Sequence, residues 1–166
     1  AANGYFFRMM RLLEGGQEEM TPTLEDYQVV FRAWAGATTD DKNAPSKVHT
    51  LLQLIDGSYR KGLTTVRPDL YCYQLALQTM KRRNSPEIGE LVDQTLSEMK
   101  RERMLIPNTE CYAAAIVAWK YVAMARKCQD REHAIQRVYD LLQEMVGAFH
   151  RTTIVTIRPE TEHYNH

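Results

Sequence analysis

Apolar residues recur along the chain at the spacing of one face of an α-helix, in stripes that share the offsets 0, 3, 4 and 7. Stripes that begin at a tyrosine alternate with stripes that begin at a valine. The first kind comprises Tyr27, Val30, Phe31, Trp34; Tyr73, Ala76, Leu77, Met80; and Tyr112, Ala115, Ile116, Trp119. The second kind comprises Val48, Leu51, Leu52, Ile55; Val92, Thr95, Leu96, Met99; and Val138, Leu141, Leu142, Met145. This alternation predicts three consecutive pairs of amphipathic helices.

Each tyrosine stripe follows a proline that lies five residues before the tyrosine. The four copies of this motif are Pro22 with Tyr27, Pro68 with Tyr73, Pro107 with Tyr112, and Pro159 with Tyr164. Asp69 and Asn108 follow their prolines directly and suit the N-cap of a helix. Ser85, Asn43 and Asp130 are candidates to open the second helices, and Gly62 suits the end of one. The motif therefore predicts where the first helix of each pair begins.

A lone pair of amphipathic helices cannot bury both its faces, whereas stacked pairs share a continuous core. We therefore predict an all-α fold, an α-solenoid of antiparallel helix-turn-helix repeats, which forms one domain over 1–166. Its predicted units are a trailing helix of a preceding repeat at 1–21, repeats at 22–67, 68–106 and 107–158, and the start of a further repeat at 159–166. Met9, Leu12 and Leu13 form the partial stripe of that trailing helix. We interpret the chain as a segment of a longer protein.

The connectors between these helices vary in length and composition. A polar loop is predicted from Gly36 to Pro45, and a tight turn from Lys127 to Asp130. The stretch from Arg151 to Arg158 is rich in β-branched residues, which favour strands. Because a single strand would have no partner here, an extended linker is predicted instead.

Composition is typical of a soluble globular chain, with 44% hydrophobic and 25% charged residues and a formal net charge of zero. Zero net charge provides no overall basic field for nucleic acid, although a local basic stripe remains compatible with it. The 3 cysteines contain no CxxC pair, which disfavours a disulfide scaffold. No apolar run approaches the roughly 18 residues of a membrane span, and no secretory signal pattern opens the chain.

Catalytic and metal-binding patterns are not evident. The sequence has no Gly-rich phosphate loop, nucleophile elbow or zinc-protease helix, and its histidines are scattered. We therefore expect no enzyme activity, no catalytic residues, no metal and no cofactor. Trp34 and Trp119 are predicted to be core residues, and Cys72 and Cys111, which share one repeat position, to pack as small residues. The basic clusters at 81–83 and 100–103 are predicted to be solvated helix ends, with phosphate contact as the alternative.

The anchors resemble those of pentatricopeptide repeats. The closest match runs from Arg67 to Leu77, and Glu98-Met99 and Glu144-Met145 resemble the pair near the end of that family's second helix. Tetratricopeptide repeats are the nearest alternative, but their early tryptophan and Gly-Tyr pair are not evident. The resemblance implies a mitochondrial or plastid protein, with the targeting segment outside this chain. It also implies single-stranded RNA as the ligand, one base per repeat.

In that family the residue after the helix tyrosine and the residue after the next repeat's proline read a base together. The residue three positions before the first reader, which is also three positions after the proline of the same repeat, wedges against the base. Carried over, the resemblance implies the reading pairs Gln28 with Asp69, Gln74 with Asn108, and Ala113 with Glu160, with Asn165 as the reader of the next unit. The implied wedges are Glu25, Tyr71, Glu110 and Glu162. The predicted RNA-binding residues are Tyr71, Gln74, Asn108, Gln28, Asp69 and Asn165.

Several of these residues depart from the family pattern. Only Asn165 is a usual first reader, and Ala113 offers no hydrogen bond. A glutamate wedge would repel a phosphate backbone.

Two functions therefore stay open: an organellar protein that binds RNA in its processing, stability or translation, and a protein-protein scaffold subunit of an organellar ribosome or other assembly. Since a solenoid without caps exposes apolar ends, end-to-end self-association is also expected.

Overall fold

The computed structural model describes residues 22–36, 42–81, 83, 85–101, 105–125 and 130–156, together with the single positions 4, 8 and 11. These residues contain the helices α1 (Leu24–Gly36), α2 (Ala44–Arg60), α3 (Leu70–Met80), α4 (Pro86–Arg101), α5 (Thr109–Met124) and α6 (Arg131–Thr156). No strand occurs within those ranges. The all-α prediction is confirmed. The stripe Met9, Leu12 and Leu13 lies outside the described residues.

The residue that follows each of the three described anchor prolines caps the next helix. Asp69 Oδ1 accepts a hydrogen bond of 2.8 Å from the Cys72 amide, and Asn108 Oδ1 accepts one of 2.9 Å from the Cys111 amide. Both predicted N-caps are confirmed. At α1 the same position is Thr23, whose hydroxyl accepts from the Asp26 amide at 3.3 Å while Asp26 accepts from the Thr23 amide at 2.8 Å. This is a reciprocal capping box.

The second helices begin less uniformly. Asp130 caps α6, because its Oδ1 accepts a hydrogen bond of 2.8 Å from the His133 amide. Asn43 precedes α2 with helical backbone angles, φ −93° and ψ 0°, and makes no side-chain capping bond. Asn43 therefore opens α2, as the sequence indicated, but it does so without a side-chain cap, because an N-cap side chain reaches the helix amides from extended backbone. Pro45 lies in the first turn of α2, where its missing N–H costs no helical hydrogen bond.

Gly62 ends α2 as predicted. Its φ of 71° is left-handed, a conformation that glycine adopts without a steric penalty. The Gly62 amide donates to the Tyr59 carbonyl at 3.0 Å, and the Leu63 amide donates to the Ser58 carbonyl at 2.9 Å. These two bonds form a Schellman motif, which satisfies carbonyls of the last turn and directs the chain toward α3.

Nearly every residue of the predicted stripes lies in the core. Trp34 and Trp119 are buried, as predicted. The exceptions belong to the last unit: Ile116, Val138 and Met145 are only partly buried and Leu142 is exposed. The stripes therefore identify the core faces of α1 to α4 correctly and overestimate burial in α5 and α6.

The helices pack in a repeated arrangement. α3 contacts both α1 and α2, and α5 contacts both α3 and α4. The second helices α2 and α4 also touch, and α6 packs mainly against α5. Ala76 of α3 and Ala115 of α5, the small residues of the tyrosine stripes, are fully buried within this core.

α6 is longer than the sequence predicts, since it continues from Arg131 to Thr156. The extended linker predicted from residue 151 is therefore wrong as far as Thr156, and residues 157 and 158 lie outside the described residues. β-branched residues lower helix propensity only slightly, and a continuing helix satisfies the backbone groups that an isolated strand would leave to water.

Candidate functional site

The predicted reading pair Gln28 and Asp69 lies together, but the two side chains bind each other. Gln28 Nε2 donates a hydrogen bond of 2.9 Å to Asp69 Oδ2. The other carboxylate oxygen, Oδ1, caps α3 through the Cys72 amide. The contact joins α1 to the start of α3. Both oxygens of Asp69 therefore already accept hydrogen bonds, and base recognition would have to displace the glutamine.

The second predicted pair, Gln74 and Asn108, has different partners. The Gln74 amide donates to the carboxylate of Glu110, which is the wedge position of the next unit. Asn108 accepts from the Cys111 amide at 2.9 Å and so caps α5. The prediction places Gln74 correctly beside the start of α5, but its partner there is an acid two residues beyond Asn108.

The wedge positions differ in chemistry. Glu25 and Glu110 are exposed acids, and Tyr71 has 39% of its surface exposed. Ala113, the third reader, is exposed. The remaining predicted residues, Glu160, Glu162 and Asn165, lie outside the described residues. The first helices thus carry two glutamine–carboxylate pairs and one exposed aromatic ring between two acids.

The described members of the two basic clusters have different surroundings. The ammonium of Lys100 pairs with the Glu144 carboxylate and lies 5.8 Å from the centre of the Tyr112 ring. Lys81 and Arg101 are exposed at the ends of α3 and α4. The other members of the clusters, apart from the half-buried Arg83, lie outside the described residues.

A polar network between α4 and α6 is a feature that the sequence did not predict. Arg137 Nε donates to Asp93 Oδ2 at 2.9 Å, and Arg137 Nη1 donates to Glu144 Oε1 at 3.1 Å. The indole of Trp119 donates to Asp93 Oδ1 at 3.3 Å. Hydrogen bonding to Asp93 raises the pKa of Arg137. Desolvation pushes the pKa of Glu144 upward, but hydrogen bonds from Lys100 and Arg137 outweigh it and hold that pKa below its usual value.

His49 forms a second polar contact between units that was missed. It is buried, its Nδ1 lies 3.1 Å from Thr95 Oγ1, and its Nε2 lies 2.9 Å from Gln53 Nε2 and 3.7 Å from Glu98 Oε1. His49 and Asp93 share one register position, directly after the first valine of their stripes. A polar residue beside a buried valine at the same place in two units was the available signal.

Protonation of His49 is expected to destabilise the fold. Burial lowers the pKa of His49, and the nearby Glu98 offsets this only partly. Because the folded state therefore binds protons less readily than the unfolded state, this contribution to stability is complete above the usual pKa of about 6.5 and declines as pH falls below it. Urea unfolding at several pH values between neutral and mildly acidic should show this decline.

The matched variant His49→Gln should lose that part of the pH dependence, and it leaves the exposed His133 and His150 in place. An identical pH dependence in the variant and the parent would contradict a role for His49. If the pH dependence of stability is lost in His133→Gln instead, it would be assigned to His133.

The two described cysteines are unsuited to chemistry. Cys72 and Cys111 are buried, and burial raises the pKa of Cys111 to about 11 and that of Cys72 still further. Neither thiol is ionised near neutral pH, so both act as small packing residues, as the sequence indicated. In the described ranges, no group of three or more histidine, cysteine or acidic side chains is placed to hold a metal ion. Nor does any helix there have the length and apolar character that a membrane crossing requires.

Comparison of the chain with protein-family models, with curated proteins and with solved structures finds no match. The function must therefore be argued from the side chains of the first helices and from the packing of the repeated units.

Proposed function

We propose that this chain is a segment of an α-solenoid scaffold that binds a polypeptide along its first helices. The repeated contacts support the solenoid: α3 covers α1 and α2, and α5 covers α3 and α4 in the same way. The resemblance to pentatricopeptide repeats supports the same architecture. Successive pairs of this kind build an extended surface on which one partner can lie.

Both glutamines that were predicted to read bases donate hydrogen bonds to carboxylates, and this favours a protein ligand over RNA. Gln28 donates to Asp69 at 2.9 Å, and Gln74 donates to Glu110. A base would have to break these charge-assisted bonds, which are stronger than neutral ones. The carboxylates would also repel the phosphates that supply most of the affinity for nucleic acid.

The same acids indicate the chemistry of the partner. Glu25 and Glu110 are exposed, and Tyr71 presents an exposed ring on the helix between them. A segment with lysine or arginine would pair with the acids, and an arginine would also stack on the tyrosine ring. We therefore propose a basic peptide segment of a protein partner as the ligand of this face.

Fluorescence anisotropy at low salt tests this proposal. It measures how the chain binds labelled pools of short basic peptides and of single-stranded RNA. We expect the peptides to bind and the RNA not to be retained. Glu110→Gln should weaken peptide binding roughly 2- to 5-fold, as for the loss of one exposed ion pair. The matched control Glu90→Gln removes an exposed acid from α4 and should leave affinity unchanged. Equal affinities of parent and Glu110→Gln would contradict the proposal.

RNA binding is the second candidate, and the exposed Tyr71 ring beside Gln74 is the observation that favours it. In this case the segment would belong to an organellar RNA-binding protein of the pentatricopeptide-repeat type. Stacking of one base on Tyr71 would contribute about 1–3 kcal/mol. Salt-dependent retention of the RNA pool that is lost in Tyr71→Ala with Gln74→Ala would establish this function in place of the first.

A further inference from the structure

Helix α6 carries two apolar stripes, and only one of them faces the core. Ala134, Val138, Leu141 and Met145 are buried or half-buried in the core. The second stripe, which we call the α6 stripe, is exposed by 39–63% and comprises Ile135, Tyr139, Leu142, Val146 and Phe149. Large apolar side chains in such a row form a contiguous patch of the kind that marks an interaction surface.

The spacing of the α6 stripe indicates a helical partner. Its members are four, three, four and three residues apart, which is the a and d spacing of a heptad repeat. The stripe runs for about 21 Å along the helix, at about 1.5 Å per residue, and is narrower than the face that a helix usually buries in a globular core. A second helix packs along a stripe of this width by inserting its own a and d side chains between those of the first.

A groove between α5 and α6 continues the stripe at its amino-terminal end. The groove has a volume of about 610 Å³, and no described helix fills it. Its apolar lining consists of Ile116, Ala123, Met124, Ile135 and Val138. Because Ile135 belongs to both the groove and the stripe, the two features form one continuous apolar surface.

The α6 stripe differs from the surfaces by which the units of this chain pack on one another. Its a positions are Tyr139 and Val146. The matching residues on the earlier second helices are all polar or charged: His49 and Asp56 on α2, and Asp93 and Lys100 on α4. Three of them, His49, Asp93 and Lys100, make polar contacts with the following unit. The stripe is therefore not a third copy of that surface, and it fits a partner whose contact face is wholly apolar.

The charges beside this surface indicate the charge of the partner. The charged residues that line the groove are Lys120 and Arg131, and both are exposed. No acid lines the groove among the described residues, and the exposed Glu132 lies in the first turn of α6 beside Arg131. Carboxylates on a partner would pair with the two cations.

A second copy of α6 would not supply these carboxylates. The polar positions that flank its stripe, at e of the heptad, are Gln136, Gln143 and His150. Packing of two such stripes would therefore leave Lys120 and Arg131 without acids opposite them. The charges favour a different chain as the partner.

We propose that the α5–α6 groove and the α6 stripe bind one amphipathic helix of a partner protein. That helix has apolar residues at heptad spacing and aspartate or glutamate on the flank that meets Lys120 and Arg131. The inference does not rest on the proposed binding of a basic peptide, because the acids Glu25 and Glu110 of the first helices fit a ligand of the opposite charge. Failure of either proposal leaves the other standing.

Fluorescence anisotropy with labelled peptides of about three heptads tests this proposal. The acidic probe has leucine at a and d and glutamate at e and g, where like charges keep it from pairing with itself. The neutral probe has glutamine in place of glutamate, and the scrambled probe has the composition of the acidic one without heptad spacing. At low salt the acidic probe should bind more tightly than the neutral one, and the scrambled probe should not be retained.

Variants of the chain locate the binding surface. Ile135→Gln with Leu142→Gln should weaken binding of the acidic probe roughly 10-fold, because two apolar contacts are lost. The matched control Leu63→Gln changes a side chain outside the surface that is 58% exposed, as Ile135 is, and should leave the affinity unchanged. Lys120→Glu should remove the preference for the acidic probe over the neutral one, whereas Lys61→Glu, at another exposed lysine, should preserve it. Thermal melting by circular dichroism verifies that each variant folds.

Several results would overturn the proposal. These are no binding of either heptad probe, equal binding of the acidic probe and the neutral or scrambled one, and equal affinities of the parent and the double variant at 135 and 142. Light scattering of the parent tests the other occupant. A dimer that is lost in the double variant would assign the surface to a second copy of the chain.

Discussion

Truncation of Leu96 to alanine should lower the free energy of unfolding by about 3 kcal/mol. Leu96 has 1% of its surface exposed and lies on α4, a helix that packs against α2 of the preceding unit and α5 of the following one. Its removal therefore costs the transfer free energy of the lost methyl groups and leaves a cavity that the neighbours fill only in part. Urea denaturation followed by circular dichroism measures this change.

Leu142 is the matched control, because it occupies the same register position on α6 but is 39% exposed. Leu142→Ala should cost about 1 kcal/mol or less, since less apolar surface returns to water and no closed cavity forms. Leu52→Ala, at the same position of α2, should resemble Leu96→Ala because Leu52 is fully buried. Equal losses of unfolding free energy in Leu96→Ala and Leu142→Ala would show that the two side chains are equally buried. That result would contradict the difference in their exposure.

The substitution Gly89→Ala should lower the free energy of unfolding by about 2 kcal/mol, as overpacking of a core typically does. A Cβ atom on Gly89 would lie 2.5 Å from the Cη2 atom of Trp119, and no real Cβ tolerates such a distance without movement of its neighbour. The indole cannot move freely, because it is buried and its nitrogen donates to Asp93 at 3.3 Å. This close approach makes glycine the residue that lets α5 lie against α4.

Gly57 offers the opposite result in the same fold. It lies inside α2, and a Cβ added there meets no described atom within 4 Å. Gly57→Ala should therefore stabilise the protein by about 0.5–1 kcal/mol, because alanine loses less backbone freedom in a helix than glycine.

The parent, Gly89→Ala, Trp119→Leu and the double variant test whether the indole causes the penalty at position 89. In the Trp119→Leu background the loss of stability on Gly89→Ala should shrink. A penalty that persists undiminished there would exclude the indole as its cause, and urea denaturation of the four proteins provides the comparison.

The candidate site was predicted only in part. The resemblance paired Gln28 with Asp69 and Gln74 with Asn108; the first two side chains are in contact, whereas Gln74 bonds to Glu110. That these amides bind carboxylates was not predicted, because the pairing of Gln74 with Glu110 depends on how far each side chain reaches across the gap between helices. Whether these residues contact RNA stays a prediction.

The amino-acid sequence by itself determined where most helices lie and which faces of α1 to α4 are buried. The periodic stripes, the caps Asp69 and Asn108 and the glycine Gly62 act within a few residues of chain, so local backbone and side-chain preferences are sufficient to predict them. For α6 these local signals misled, because the β-branched run near its end indicated an extended segment where the helix continues.

Only the tertiary structure decided how the units use their polar residues. His49 is buried against Thr95, and Asp93 joins Trp119 to Arg137, through contacts that span 26 to 46 residues of sequence. It likewise decided that no described helix covers the groove between α5 and α6, whereas α3 covers α1 and α2 and α5 covers α3 and α4. Such contacts depend on the relative placement of whole helices, since side chains distant in sequence meet only after the packing of their helices has brought them within hydrogen-bonding distance.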